Sequence, residues 1–479
     1  MGEAKRKREL LEEAAKHSKP ISRARFNLYS IGTRLARSAG LCEEMAWWAL
    51  NDESLIGMVG RDTVDDDYLW MILARDRNGR FRCASLDCSI STPEKAETDL
   101  KVALFEAAKR GDIEEFGAQG DETNHPIDLF ELPLDHDPEK LHPYFRLLLE
   151  DDSKAPAKAV LKELGPWLTP SDPHLVGEFQ GNGFDQRLWE FYLWATFKEF
   201  FLDVEQLEAP DFLCTAPGVG FTVEATTVGP SNTGALADHP NPQNEEERQK
   251  FLADYMPMKF GSALTGKLNK KNKQGEHYWE REKAKGLPFT IAIADFHKAA
   301  GPKEPASMVY TQSALWQYLY GKRVRITEEG GIVAVKEEDV DKHIYNGKEI
   351  PSGFFDLENA ENVSAVIFSN AGTIAKFDRM GTQAGFAKEG YDYYRHGLTI
   401  NPDPDATMGI PFVRHVNADD YEEWWTQEVI VFHNPNAKIP LPPEFLMGAS
   451  HYLFKEDELL SIVPEDAVLN SITMIMKSA

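Results

Sequence analysis

Residues 184–228 read FDQRLWEFYLWATFKEFFLDVEQLEAPDFLCTAPGVGFTVEATTV. Over 184–200 the apolar residues Leu188, Phe191, Ala195 and Trp194 or Phe197 recur at helical spacing, which predicts a largely buried helix ending near Phe201. Glu190 falls inside its apolar stretch, where a carboxylate needs a reason. A short strand fits Leu202 to Leu207, and Pro210-Asp211-Phe212-Leu213-Cys214 opens another. Gly218 and Gly220 supply a turn, after which FTVEATTV (221–228) is a β-branched strand of period two bearing Glu224. Asp211 and Glu224 thus stand thirteen residues apart across a glycine-bearing hairpin, the alternative being Asp211 in a turn and Glu224 at a solvent-facing strand position.

Outward from this stretch the chain continues as α/β. The segment 259–286 is basic and helix-like at its start, and LPFTIAIADF (287–296) is a near-continuous apolar strand of the kind buried on both faces of a sheet. VSAVIFSN (363–370) and EVIVFHNPNAKIPL (428–441) are candidate further strands. The expected fold class is α/β, a mixed sheet flanked by helices, with an N-terminal α+β domain. Five regions follow: a basic helical arm at 1–40, the α+β domain at 41–112, an acidic helical connector at 113–176, the core with extensions at 177–450, and a C-terminal extension at 451–479. Within the second region, strands are expected from Leu55 to Ile90 with a turn at Arg77-Asn78-Gly79, then a helix over 93–110. The connector carries short helices near 143–149 and 157–164.

A helix with Glu190, a strand opening with Pro210-Asp211, a hairpin and a strand with Val223-Glu224-Ala225-Thr226 resemble the PD-(D/E)xK nuclease superfamily over roughly residues 178–300. The resemblance implies a restriction-endonuclease-like core in which Asp211 and Glu224 hold Mg²⁺ or Mn²⁺, helped by Glu190 and by the backbone carbonyl of Ala225. Such ions take hard oxygen donors and keep waters, one of which attacks the phosphodiester. The motif lysine is absent, since Thr226 stands in its place. Lys267 or Lys271, four residues apart and read as one helical face, would then supply the amine. Lys259, Lys270 and Lys273 would contact nucleic acid. The chain is also similar to a set of bacterial proteins through GRFR, DQRLWEFYLWATF, VEATT, IAIADF and FHNPNA. Together these imply a metal-dependent nuclease acting on DNA, with RNA the alternative substrate, in phage defence or DNA processing. The rival is a catalytically inactive nucleic-acid-binding or scaffold protein with a degenerate nuclease fold.

The formal charge of −26 argues against indiscriminate coating of nucleic acid, which needs clustered Lys and Arg. Residues 1–40 depart from this balance, with ten Lys/Arg against four Glu, a local +6 that suits either a nucleic-acid arm or a solubilising tail. No apolar run is long enough to span a bilayer and none follows the N-terminal charges, so a cytoplasmic protein without a membrane partner is expected. Cys42, Cys83, Cys88 and Cys214 form no CxxC pair and are expected to be buried thiols. GSALTGK (261–267) has phosphate-loop spacing, but Leu268 stands where the metal-binding Ser/Thr belongs. His277, His297 and His433 lack ligand spacing, and Trp424 and Trp425 beside Tyr421 suit base stacking or core anchoring. The regions outside the core are left to supply specificity, partner binding or homo-oligomer contacts.

Overall fold

The computed structural model describes residues 2–123, 127–133, 136–168, 174–231, 233–237, 240–296, 311–329, 332–403, 406, 408–455 and 458–477. His297 lies outside them.

Residues 184–228 fold as expected. Their helix, α2 (Phe184–Glu199), follows α1 (Ala155–Leu164) of the connector. Twelve of the sixteen α2 residues are buried, so it is a helix packed nearly all round rather than an amphipathic surface helix. Asp185 in its first turn and Lys198 in its last complement the helix dipole. Each fully buried large side chain, such as Trp189, Phe191 or Tyr192, contributes about 1.5–3 kcal/mol of transfer free energy.

Eight strands form the central sheet: β1 (Asp203–Gln206), β2 (Phe212–Ala216), β3 (Val219–Val228), β4 (Phe289–Asp295), β5 (Ala365–Phe368), β6 (Ile430–His433), β7 (Ser450–Lys455) and β8 (Glu458–Ile462). They lie side by side in chain order. β3–β4, β4–β5 and β6–β7 pair in parallel and the other neighbours antiparallel, so the sheet is mixed. The parallel crossovers carry α3 (Met256–Leu268) and α4 (Gln312–Tyr320), and α5 (Ile374–Gln383) lies between β5 and β6. One face of the sheet packs against α1, α2 and α5 in a core containing Phe221, Val223, Ala225, Ala292 and Ile367. The other face packs against α3 and α4 through Val228, Ile291, Ile293 and Phe368. The strand alternation thus divides β3: its odd residues go to the α2 layer, and Glu224 goes with Val228 to the α3 layer.

The N-terminal sheet has five strands, and its edge is Ser18–Pro20, paired with Cys42–Leu50. Pro20 is compatible with that edge because it has no N–H to give a further strand. The basic helix Gly2–His17 does not protrude as a free arm. Ala14 is buried, the His17 ring sits 5.0 Å from that of Phe105, and the helix packs on Pro93–Ala108. The connector joins the central core through Phe145, Leu148, Val160, Leu161 and Leu164. The region beyond 450 is likewise integral, since β7 and β8 extend the central sheet and Val468–Lys477 pairs with Tyr391–Thr399. GSALTGK is α3 helix, not a loop. Of the cysteines only Cys214 is fully buried, while Cys83 and Cys88 are exposed on Phe81–Ile90, a strand buried only at its two end residues. Among the described residues no helix is long and apolar enough to cross a membrane.

Candidate functional site

β2 ends early against β3. Phe212 pairs with Val223, which sets Asp211, the residue just before the strand, opposite Glu224. Beyond that point β3 runs on through Ala225 to Val228 without β2 beside it. Asp211 closes this gap: its Oδ2 accepts the N–H of Ala225 at 2.6 Å. Glu224 is 4% exposed, which rules out the alternative of a solvent-facing strand position.

Lys267 reaches Glu224 from α3, its Nζ donating to Oε1 at 2.5 Å. Glu224 Oε2 is buried and makes no well-formed hydrogen bond, its neighbour being the Tyr278 hydroxyl, which lies close enough to Glu224 for the carboxylate to raise its pKa. A buried carboxylate oxygen left so is costly, and a cation is one way to satisfy it. Asp211 is raised well above the usual carboxylate range, first by burial and then by the charges of Glu224 and Glu190. Three acidic groups therefore feel one another at the edge of the sheet, opposed by Lys267.

Glu190 approaches from α2 already partnered. Arg187 Nη1 donates to its Oε2 at 2.8 Å and Gln186 Nε2 to its Oε1 at 2.9 Å. That is the reason a carboxylate is tolerated in this apolar helix. The Asp211, Glu224 and Glu190 oxygens are not drawn within 4.8 Å of one another. Among the described residues Asp76, Asp121 and Glu122 are. That cluster is neutralised by Arg80 and Arg82, and Glu122 accepts the N–H groups of Gln119 and Gly120.

The basic residues separate. Lys271 does not share a helical face with Lys267: α3 stops at Leu268, Asn269 caps it, and Lys271 lies exposed in the following loop. Lys270 and Lys273 are also exposed there, with Lys270 Nζ 5.8 Å from the Tyr278 ring centroid. Lys259 is buried and donates to Ser231 Oγ at 2.7 Å.

One neighbour of the site has no signal in the local sequence. Tyr278 is buried with its hydroxyl lacking a well-formed partner, and burial together with Glu224 and Asp211 raises its pKa. Its ring stacks on Phe289 of β4 and carries Arg281 over its face. Asp185, at the start of α2, is raised to about 6 by burial. Tyr278 is 54 positions from Glu224, and nothing in the local pattern GEHYWE points to that contact.

Comparison with known proteins gives no matching family model, no matching curated protein and no matching solved structure.

Proposed function

We propose that the chain is a metal-dependent nuclease that hydrolyses phosphodiester bonds of DNA at a restriction-endonuclease-like core, with Asp211 and Glu224 at its centre. The observation that carries this reading is the juxtaposition of the half-buried Asp211 and the buried Glu224 where β2 meets β3, one oxygen of Glu224 making no well-formed hydrogen bond. Asp211, Glu224 and the carbonyl of Ala225 would hold Mg²⁺ or Mn²⁺, the hard oxygen donors such ions take. Bound there, the ion would supply Lewis acidity toward a phosphoryl oxygen and ease deprotonation of the attacking water.

This chain's own residues do the rest. Lys267, already on Glu224, supplies from α3 the amine that Thr226 does not, and can orient a water or balance charge developing on the phosphate. Arg187 and Gln186 fix Glu190 beside Asp211, which makes Glu190 a charge-tuning neighbour before it is a ligand. Lys270 and Lys273 offer exposed cations next to the site for the phosphate backbone.

One observation favours a second reading, a non-catalytic nucleic-acid-binding or scaffold protein. The pairs Lys267–Glu224 and Arg187–Glu190 satisfy much of the acidic charge without an ion. Cleavage of supercoiled plasmid, single-stranded DNA and RNA in Mg²⁺ or Mn²⁺ separates the two. The nuclease reading expects cleavage that Asp211→Ala and Glu224→Ala each abolish, whereas wild type inert on all three substrates would leave the binding role.

A further inference from the structure

A cavity of about 670 Å³ lies between the helix Arg23–Ser30, the C-terminal end of α2 and the segment Glu423–Thr426. It is separate from the Asp211–Glu224 pair, none of whose residues line it. Its size falls in the range of sites that enclose small organic ligands. The wall is mostly apolar, with Leu28, Met58, Met71, Leu73 and Met380, and Trp424 forms part of it.

The charges on that wall do not cancel. Each carboxylate is already engaged: Glu43 with Arg61 at 2.7 Å, Glu44 with Arg34 at 2.8 Å, and Glu423 with Lys376 and Arg379. Glu199 accepts the Thr426 N–H at 2.9 Å, and burial raises it to about 7, so it carries only part of a charge at neutral pH. Two cations, by contrast, have no carboxylate within 4.0 Å among the described residues, Asp203 acting on Lys198 only from further away. Arg23 is exposed and lies over the Trp424 ring, 5.2 Å from its centroid. Lys198 is 5% exposed, and its Nζ gives one of three hydrogens to the carbonyl of Arg34. Burying an ammonium costs free energy unless it meets an anion, and desolvation lowers Lys198 to about 8. In a chain of net charge −26, two cations without an ion-pair partner in one cavity are a specific feature.

We propose that this cavity binds a small organic phosphate of mononucleotide size, its phosphate on Lys198 with Arg23 at the mouth, and its planar group against Trp424 and the methionine wall. A phosphate monoester carries roughly −1.5 to −2 at neutral pH, which matches these two cations. The planar group accounts for the aromatic and methionine lining, which suits flat, polarizable partners. This site stands whether or not the sheet-edge carboxylates cut nucleic acid.

Titration calorimetry of the full chain with the four ribonucleoside 5′-monophosphates tests it, with inorganic phosphate and the nucleosides as separate arms. At least one nucleotide should bind roughly tenfold or more tightly than phosphate or its own nucleoside, the factor that one charge-assisted contact is worth. Arg23→Ala and Lys198→Met should each weaken that binding by about the same factor. Because Lys198 is buried and its substitution can disturb folding, the exposed Arg23→Ala variant keeps the test decisive. No nucleotide binding better than inorganic phosphate, or affinity unchanged in Arg23→Ala, would overturn the assignment.

Discussion

Replacing Asp211 by Asn in the absence of metal should stabilise the protein, although it removes a residue of the candidate site. The Ala225 N–H bond, a contribution of about 1 kcal/mol, survives, because the Asn carbonyl oxygen accepts as Oδ2 does. What disappears is the cost of a half-buried acid beside two others. Asp211 is raised above its usual range by burial, Glu224 and Glu190, so the folded chain binds a proton that the unfolded chain gives up. A group of that kind leaves stability intact below its unfolded pKa of about 3.9 and removes it as pH rises toward the folded value. Asp211→Asn should therefore be more stable by about 0.5–2 kcal/mol near neutral pH, the usual gain when a strained functional residue is relieved. The advantage should grow as pH rises above the unfolded carboxylate value of about 3.9 toward the raised folded one. Urea unfolding in EDTA, followed by fluorescence of the buried Trp189 and Trp194 on α2, reads this directly. A variant less stable than wild type throughout, or a difference flat with pH, would refute the electrostatic account of the site.

The remaining predictions concern other parts of the same structure. Lys267→Met leaves the buried Glu224 without its ion pair and should lower the urea midpoint, while cleavage by the folded protein should fall by about 10²-fold or more, the scale of a lost transition-state donor, measured on plasmid in Mn²⁺; unchanged turnover would remove Lys267 from the chemistry. Glu423 is fully buried and accepts from Lys376 at 2.6 Å, Arg379 at 2.8 Å and Tyr421 at 2.5 Å, so Glu423→Gln should cost about 3–5 kcal/mol by stranding buried cations, read as a lowered urea midpoint. His433 and His451 share a buried contact of 2.9 Å, and burial followed by the neighbouring ring holds His433 down to about 4. The unfolded chain then takes up protons the fold refuses, so stability should fall as pH drops from about 6.5 toward 4, and His433→Gln should flatten that slope.

How far the sequence reaches depends on the range of the contact. α2 and β2 to β4 were readable because their periods are local: a helical repeat over 184–200, alternation over 221–228 and a continuous apolar run at 287–296. Opposition of Asp211 and Glu224 follows from a hairpin with a short turn, also a local matter. Lys271 was misplaced because the helix end at Asn269 has no glycine or proline to announce it, and basic residues simply continue past it. The strand Ser18–Pro20 is three residues long and exists only because Cys42–Leu50 offers it an edge. Packing of Gly2–His17 was likewise hidden, since its charged composition reads as a solvated helix and only Ala14 and neighbouring contacts hold it. The cluster of Lys376, Arg379, Arg395, Glu423 and Glu428 and the approach of Tyr278 to Glu224 join residues tens of positions apart, and no local pattern encodes them. Glu190 is the instructive middle case. Its partners stand three and four residues before it on the same helix, so the ion pair that accounts for it was present in the text of the sequence.

The most direct test of the central claim is calorimetric titration of Mn²⁺ into the metal-free protein, beside Asp211→Asn and Glu224→Gln. The account predicts binding in wild type, with a matching rise in thermal stability at saturating metal of about 2.7 kcal/mol at a hundredfold excess over Kd, and loss of both signals in each variant. No Mn²⁺ binding by wild type, or equal binding by all three proteins, would contradict it.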